Sequence, residues 1–139
     1  MAVQPEIYYL QQTRFVPNNR LPVLIYRNVL PQPHTEISAQ EMLGKNHWTN
    51  KGTWGAVPRH HFHPNTHECY GVLQGHSTLL IGRGPLDNDE ERSVCSVSTE
   101  LKPGDVIILP AGVADCSIDN DADYSYTGLY PEVSNCSLS

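Results

Sequence analysis

Runs of Val, Ile, Leu, Thr and Tyr, each about the length of a single strand, recur along the chain: EIYYL (6–10), PVLIY (22–26), TWGAV (53–57), CYGVL (69–73), STLLIG (77–82), VIILP (106–110) and YSYTGLY (124–130). Turn residues punctuate them, as in VPNNRLP, LPQPHT and KPGD. β-Branched and aromatic residues fit a pleated, half-buried surface, and Gly, Pro, Asn and Asp end such runs by their φ preferences. Many short strands predict an all-β barrel or sandwich. One stretch departs from this rhythm. TEISAQEMLGKN (35–46) offers Thr35 as N-cap, Ser38 and Glu41 at the spacing of a second capping signal, apolar Ile37, Met42 and Leu43, and Gly44 as a stop. It predicts one short helix, placed over one end of the sheet.

Length and charge narrow the function. The 139 residues suit one domain spanning 1–139, large enough to enclose one core. Lys and Arg number 9 against 15 Asp and Glu, a formal charge of −6, which disfavours a phosphate track or an anionic membrane surface. The expected partner is a small molecule or another protein. No apolar run approaches a membrane span and the N-terminus lacks a signal pattern, so a soluble, cytoplasmic protein is expected. Cys69, Cys95, Cys116 and Cys136 form no C-x-x-C pair and read as buried thiols rather than a zinc or redox site. The acidic run DNDEER (87–92) reads as a solvated hairpin loop.

The candidate chemistry sits in RHHFHPNTHE (59–68), which holds four of the seven histidines and a glutamate. Strand residues two apart share a face, so His61 and His63 point the same way. Pro64 and Asn65 mark a turn, after which Glu68 and Tyr70 share one face and His67, Cys69 and Gly71 the other. With Glu68 facing inward, two imidazoles and one carboxylate meet on adjacent strands, the facial arrangement that leaves open positions on a divalent metal. By parity, His60 and His67 fall on the opposite face. His76 reads as a surface group, Arg59 as an exposed side chain or an acid-recognition residue. Tyr70 either lines a pocket or packs in the core, as do Trp48 and Trp54.

Gly55-x5-His61-x-His63-x4-Glu68-x6-Gly75 resembles the first motif of the cupin superfamily at every fixed position. The second motif, G-x5-P-x-G-x2-H-x3-N, is met by Gly104, Pro110 and Gly112, with Asp115 and Asp119 in place of the histidine and asparagine. The flanks VPNNRLPVLIY, NHWTNKGTWG and HFHPNTHE extend the similarity to the small, single-domain YjlB-like cupins. The resemblance implies a cupin jelly-roll β-barrel around one divalent metal, with His61, His63 and Glu68 as ligands and the fourth ligand position on Asp115. An aspartate there makes the site of a divalent ion net neutral if it binds, and otherwise leaves Asp115 as a nearby base. The resemblance also implies a homodimer that pairs sheets through N-terminal strands such as EIYYL or PVLIY.

These residues suit a metal-dependent enzyme acting on a small oxygenated metabolite, with Asp115, Glu68 and Tyr70 as its catalytic groups. Iron is the first candidate, ahead of Mn, Ni or Zn. Two histidines and one carboxylate leave open positions that suit Fe(II) binding both substrate and O₂, and the added carboxylate of Asp115 favours the oxidised metal, so the expectation leans toward oxygenation. The same site serves a redox-neutral isomerase, cyclase, decarboxylase or lyase, in which the ion polarises a carbonyl and a carboxylate moves a proton. A non-catalytic binding cupin is the third class.

Overall fold

The computed structural model describes residues 4–14, 16–58, 63, 65–84, 87 and 96–131. Within them lie nine strands and one helix: β1 (Glu6–Tyr8), β2 (Val23–Tyr26), α1 (Glu36–Gly44), β3 (Trp48–Trp54), β4 (Glu68–Gln74), β5 (Ser77–Ile81), β6 (Val97–Leu101), β7 (Val106–Leu109), β8 (Asp115–Asn120) and β9 (Ser125–Pro131). The strands form two antiparallel sheets, one of six strands in the order β1-β2-β7-β4-β9-β3 and one of three in the order β6-β5-β8. The all-β class with one helix is as expected.

Strand parity separates two apolar layers. Val23 and Ile25 of β2, Tyr70 and Val72 of β4, Ile107 and Leu109 of β7 and Tyr126 of β9 point inward, where they meet Leu79 and Ile81 of β5 and Leu101 of β6. The intervening residues Cys69, Val106 and Leu129 point outward and pack with Leu30, Ala39 and Leu43. The helix therefore lies on the outer face of the larger sheet rather than over its end. Its start is set by Thr35, whose side chain accepts from the Ser38 N–H while Ser38 Oγ accepts from the Thr35 N–H. The capping box thus uses Ser38 as its second member, and Ile37 is left exposed.

The third strand begins five residues before TWGAV and carries a bulge between Asn50 and Gly52 against β9. Trp48 and Trp54 have the same parity in sequence and would share a face in a regular strand. The bulge separates them: Trp48 packs in the outer layer, and Trp54 stands opposite Tyr126 on the inner side. Strands β6 and β8 have no counterpart among the predicted runs. In VSTEL only alternate residues, Thr99 and Leu101, are buried, and DCSIDN has an exposed second half.

Of the acidic run, only Asp87 is described, and it is not a solvated loop residue. It is 4% exposed and accepts from Thr13 Oγ1 at 2.7 Å and from the Gly84 N–H at 2.8 Å. Cys69 and Cys116 are buried, with burial pushing the Cys69 thiol up to about 12; Cys95 and Cys136 lie outside the described residues. Among the described residues no helix is long and apolar enough to cross a membrane.

Candidate functional site

Glu68 opens β4 on its inner face and is 5% exposed. A carboxylate buried without partners costs several kcal/mol, so its two oxygens need donors. Oε2 accepts from the Tyr70 hydroxyl at 2.9 Å and from the Tyr130 hydroxyl at 3.2 Å. Oε1 lies 3.2 Å from His63 Nε2. The His63 ring stands edge-on to Tyr130, with centroids 5.8 Å apart. These groups, with Trp54, Val57 and Tyr126, line a cavity of about 160 Å³. The sequence parity of Glu68 and Tyr70 is observed, and Tyr70 both lines the cavity and packs in the core, 4.4 Å from the Tyr126 ring.

Asp115 opens β8 in the smaller sheet, pairs with Ile81 and is 2% exposed. Its charge reaches the same phenols as that of Glu68. Burial, then Asp115 and Glu68, raises the Tyr70 hydroxyl far above its ordinary value of 10.0. Tyr126 is raised by the same three causes in the same order. Tyr130 is pushed up to about 12, first by burial and then by Glu68. All three phenols therefore remain protonated donors at neutral pH.

The turn of the second motif clasps the loop of the first. Gly112 adopts φ 84°, and its N–H donates to the His63 carbonyl at 2.9 Å. A Cβ at Gly112 would come within 2.9 Å of the Asn18 carbonyl oxygen, so only glycine suits both the dihedral and the space. The neighbouring Ala111 N–H donates to His67 Nδ1 at 2.8 Å, which makes His67 a latch between the two motifs. Asp119 is exposed, 3.8 Å from His76 Nε2 and remote in role from the cavity. His76 is half-buried and bonds Asp121.

The donor set bears on a metal as follows. Two donors about 2.1 Å from one ion, at roughly a right angle, lie about 3 Å apart. The 3.2 Å between His63 Nε2 and Glu68 Oε1 meets that spacing. Among the described residues no three His, Cys, Asp or Glu side chains gather as a metal-binding group, so Asp115 does not complete a trio with these two. His61, with His60 and Arg59, lies outside the described residues. The residues present thus fit two ligands of the expected set.

Tyr126 and Tyr130 were not among the candidates read from the sequence. Their signal was the alternation in YSYTGLY, where residues 124, 126 and 130 share a parity and hence a face.

A family profile described as Cupin matches residues 47–123. Protein YjlB of Bacillus subtilis (strain 168), described as uncharacterized, is 24% identical over 132 residues, covering 94% of this chain and 72% of that protein. Among solved structures, RmlC from Streptococcus suis in complex with dTDP-D-xylose superposes with a TM-score of 0.51 at 11% identity, covering 96% of this chain and 74% of that chain. The dTDP-4-dehydrorhamnose 3,5-epimerase from Elizabethkingia anophelis NUHP1 gives a TM-score of 0.45 at 10% identity, covering 96% and 77%. The profile spans more than half of the residues and takes in both the Glu68 strand and the Gly112 turn, and the larger sheet faces the smaller as in a jelly roll: the chain belongs to the cupin family.

Proposed function

We propose that the protein is a metal-dependent enzyme acting on a small oxygenated metabolite in the cavity around Glu68. The observation that carries this reading is the division of one carboxylate between two tasks. Oε2 is held by Tyr70 and Tyr130, while Oε1 faces His63 Nε2. A ligating carboxylate keeps its orientation when its other oxygen is fixed in this way. His61, His63 and Glu68 would hold one divalent ion, iron foremost, with Mn, Ni or Zn as the alternatives. Bound there, the ion supplies Lewis acidity toward a substrate oxygen and, in the case of iron, access to O₂ chemistry.

Asp115 acts in this reading as a proton acceptor. It is buried in the smaller sheet, its charge acts on the Tyr70 and Tyr130 phenols that bond Glu68, and it does not gather with His63 and Glu68 as a ligand set among the described residues. The expectation of oxygenation drew on a net-neutral site with Asp115 as a ligand, and an Asp115 outside the ligand set serves as a base that supports proton transfer instead. Redox-neutral isomerisation, cyclisation, decarboxylation or lyase chemistry is therefore the first reaction class. Tyr70 and Tyr130 orient the substrate oxygen, and Asp115 or Glu68 accepts a proton and returns it. Oxygenation is the second reading, favoured by the open positions that two histidines and one carboxylate leave. The functional unit is a homodimer.

Elemental analysis of protein purified without chelator or nickel resin should give close to one metal ion per chain. The double variant His61→Ala/His63→Ala should lose it, and unchanged metal content in that variant overturns the proposal. Once a substrate is found, turnover under nitrogen at the aerobic rate supports proton transfer. A strict need for O₂ moves the assignment to oxygenation.

A further inference from the structure

The cavity has aromatic walls and a definite size. Its rim includes Trp54, which is 44% exposed. Two glycines hold that indole in place. A Cβ on Gly128 would lie 2.7 Å from Trp54 Cζ3, and one on Gly52 would lie 3.2 Å from Cζ2 and Cη2. The indole therefore rests on bare backbone of β3 and β9, closer than any side chain at those positions would allow. From there it faces Tyr126, with centroids 6.0 Å apart, and Tyr126 in turn packs on Tyr70 at 4.4 Å. His63 and Glu68 share this lining, and its described residues include no lysine or arginine.

From this arrangement we propose that Trp54 and Tyr126 form a stacking wall for one planar, non-anionic, hydroxylated six-membered ring, with its hydroxyl directed at the His63–Glu68 side of the cavity. One ring fits: the described part of the cavity holds about 160 Å³, close to the roughly 150 Å³ that accepts benzene in another protein. Planarity follows from the wall, because offset and edge-on aromatic contacts favour a flat π-face over a puckered ring. Exclusion of an anionic substituent follows from Glu68 in the lining and Asp115 buried nearby, whose carboxylates repel it. Trp54 is then a specificity-determining residue that makes no bond to the reacting atoms. The inference rests on the reading of this cavity as the substrate site, and not on the identity of the metal.

The test is calorimetric titration of the metal-loaded protein with phenol, cyclohexanol, 2-naphthol and benzoate, with metal content measured on the same samples. Phenol should bind at least fivefold tighter than each of the other three. Trp54→Ala, at an exposed position, should weaken phenol about tenfold while retaining its metal. Gly128→Ala should do the same by displacing the indole, in protein whose circular dichroism is unchanged. Equal binding of phenol and any one of the three analogues overturns the inference, as does unchanged phenol affinity in Trp54→Ala. Selective phenol binding by a protein that never takes up metal would leave this inference standing and remove the metal-dependent reading. Metal uptake without phenol selectivity would do the reverse.

Discussion

Tyr70 and Tyr130 bond the same oxygen of Glu68, one from two residues along the same strand and the other from 62 residues away on the neighbouring strand. They are not equivalent. Tyr70 is buried in the core and packs on Tyr126, so its loss disturbs the cavity wall as well as the hydrogen bond. Tyr130 is partly exposed, and its hydroxyl can be removed with little change in packing. Tyr130→Phe should therefore weaken divalent-metal binding about tenfold, the usual cost of losing an outer hydrogen bond to a ligand, with little change in Tm. Competition with a chromophoric chelator measures the first and a thermal melt the second. Unaltered affinity would mean that the phenol does not orient the carboxylate. At this scale the sequence was legible where period two applied locally: Glu68 and Tyr70 share the cavity side, and His67 lies apart from the cavity in its latch to Ala111. Tyr130 was not legible as a partner of Glu68, because that contact depends on the β4–β9 register, in which Tyr70 stands opposite Gly128.

At the scale of elements, the turns show a pH-dependent pairing. His76 follows the turn after β4, and Asp121 follows β8. The Asp121 carboxylate accepts from both the backbone N–H and Nδ1 of His76, at 2.9 and 2.8 Å, so the two turns are joined. The hydrogen bond to Asp121 raises His76 above its ordinary value of 6.5, and the bond to His76 lowers Asp121 below 3.8. A raised histidine contributes stability that is fully present below 6.5 and lost as pH rises through its folded value. A lowered aspartate contributes stability present above 3.8 and lost as pH falls through its folded value. The pair is thus intact between those limits. His76→Gln should melt slightly below the parent at about pH 5.5, with the gap closing by about pH 8.5. A gap that stays constant or widens with pH would contradict the assignment. The same scale explains which strands the sequence revealed. β2, β4, β5 and β7 present mostly buried residues on both faces or strict alternation and stand out as apolar runs. β8 is buried only at Asp115, Cys116 and Ser117, and its pairing with β5 outweighs the weak strand preference of Asp and Asn.

For the whole molecule the remaining question is the open edge of the larger sheet. Among the described residues β1 ends that sheet on one side, paired with β2 alone, and a strand edge of this kind invites a partner. It carries exposed Ile7, with exposed Tyr9 just beyond it, an apolar border that gains from burial. Inside the chain the strand is anchored, since Arg27 bonds Glu6 of β1, Thr99 of β6 and Asp105 before β7. The edge is therefore presented rigidly, at low entropic cost to association. Opposing this is the charge of −6 on each chain, which two copies must bring together. A homodimer through β1 should accordingly show two signatures in light scattering at micromolar concentration. The parent should have twice the chain mass and dissociate less in moderate salt than in low salt, because screening relieves the repulsion between like-charged chains. Ile7→Glu should have the chain mass alone with an unchanged circular dichroism spectrum. A monomeric parent, or an Ile7→Glu protein of undiminished mass, would place the assembly elsewhere or nowhere.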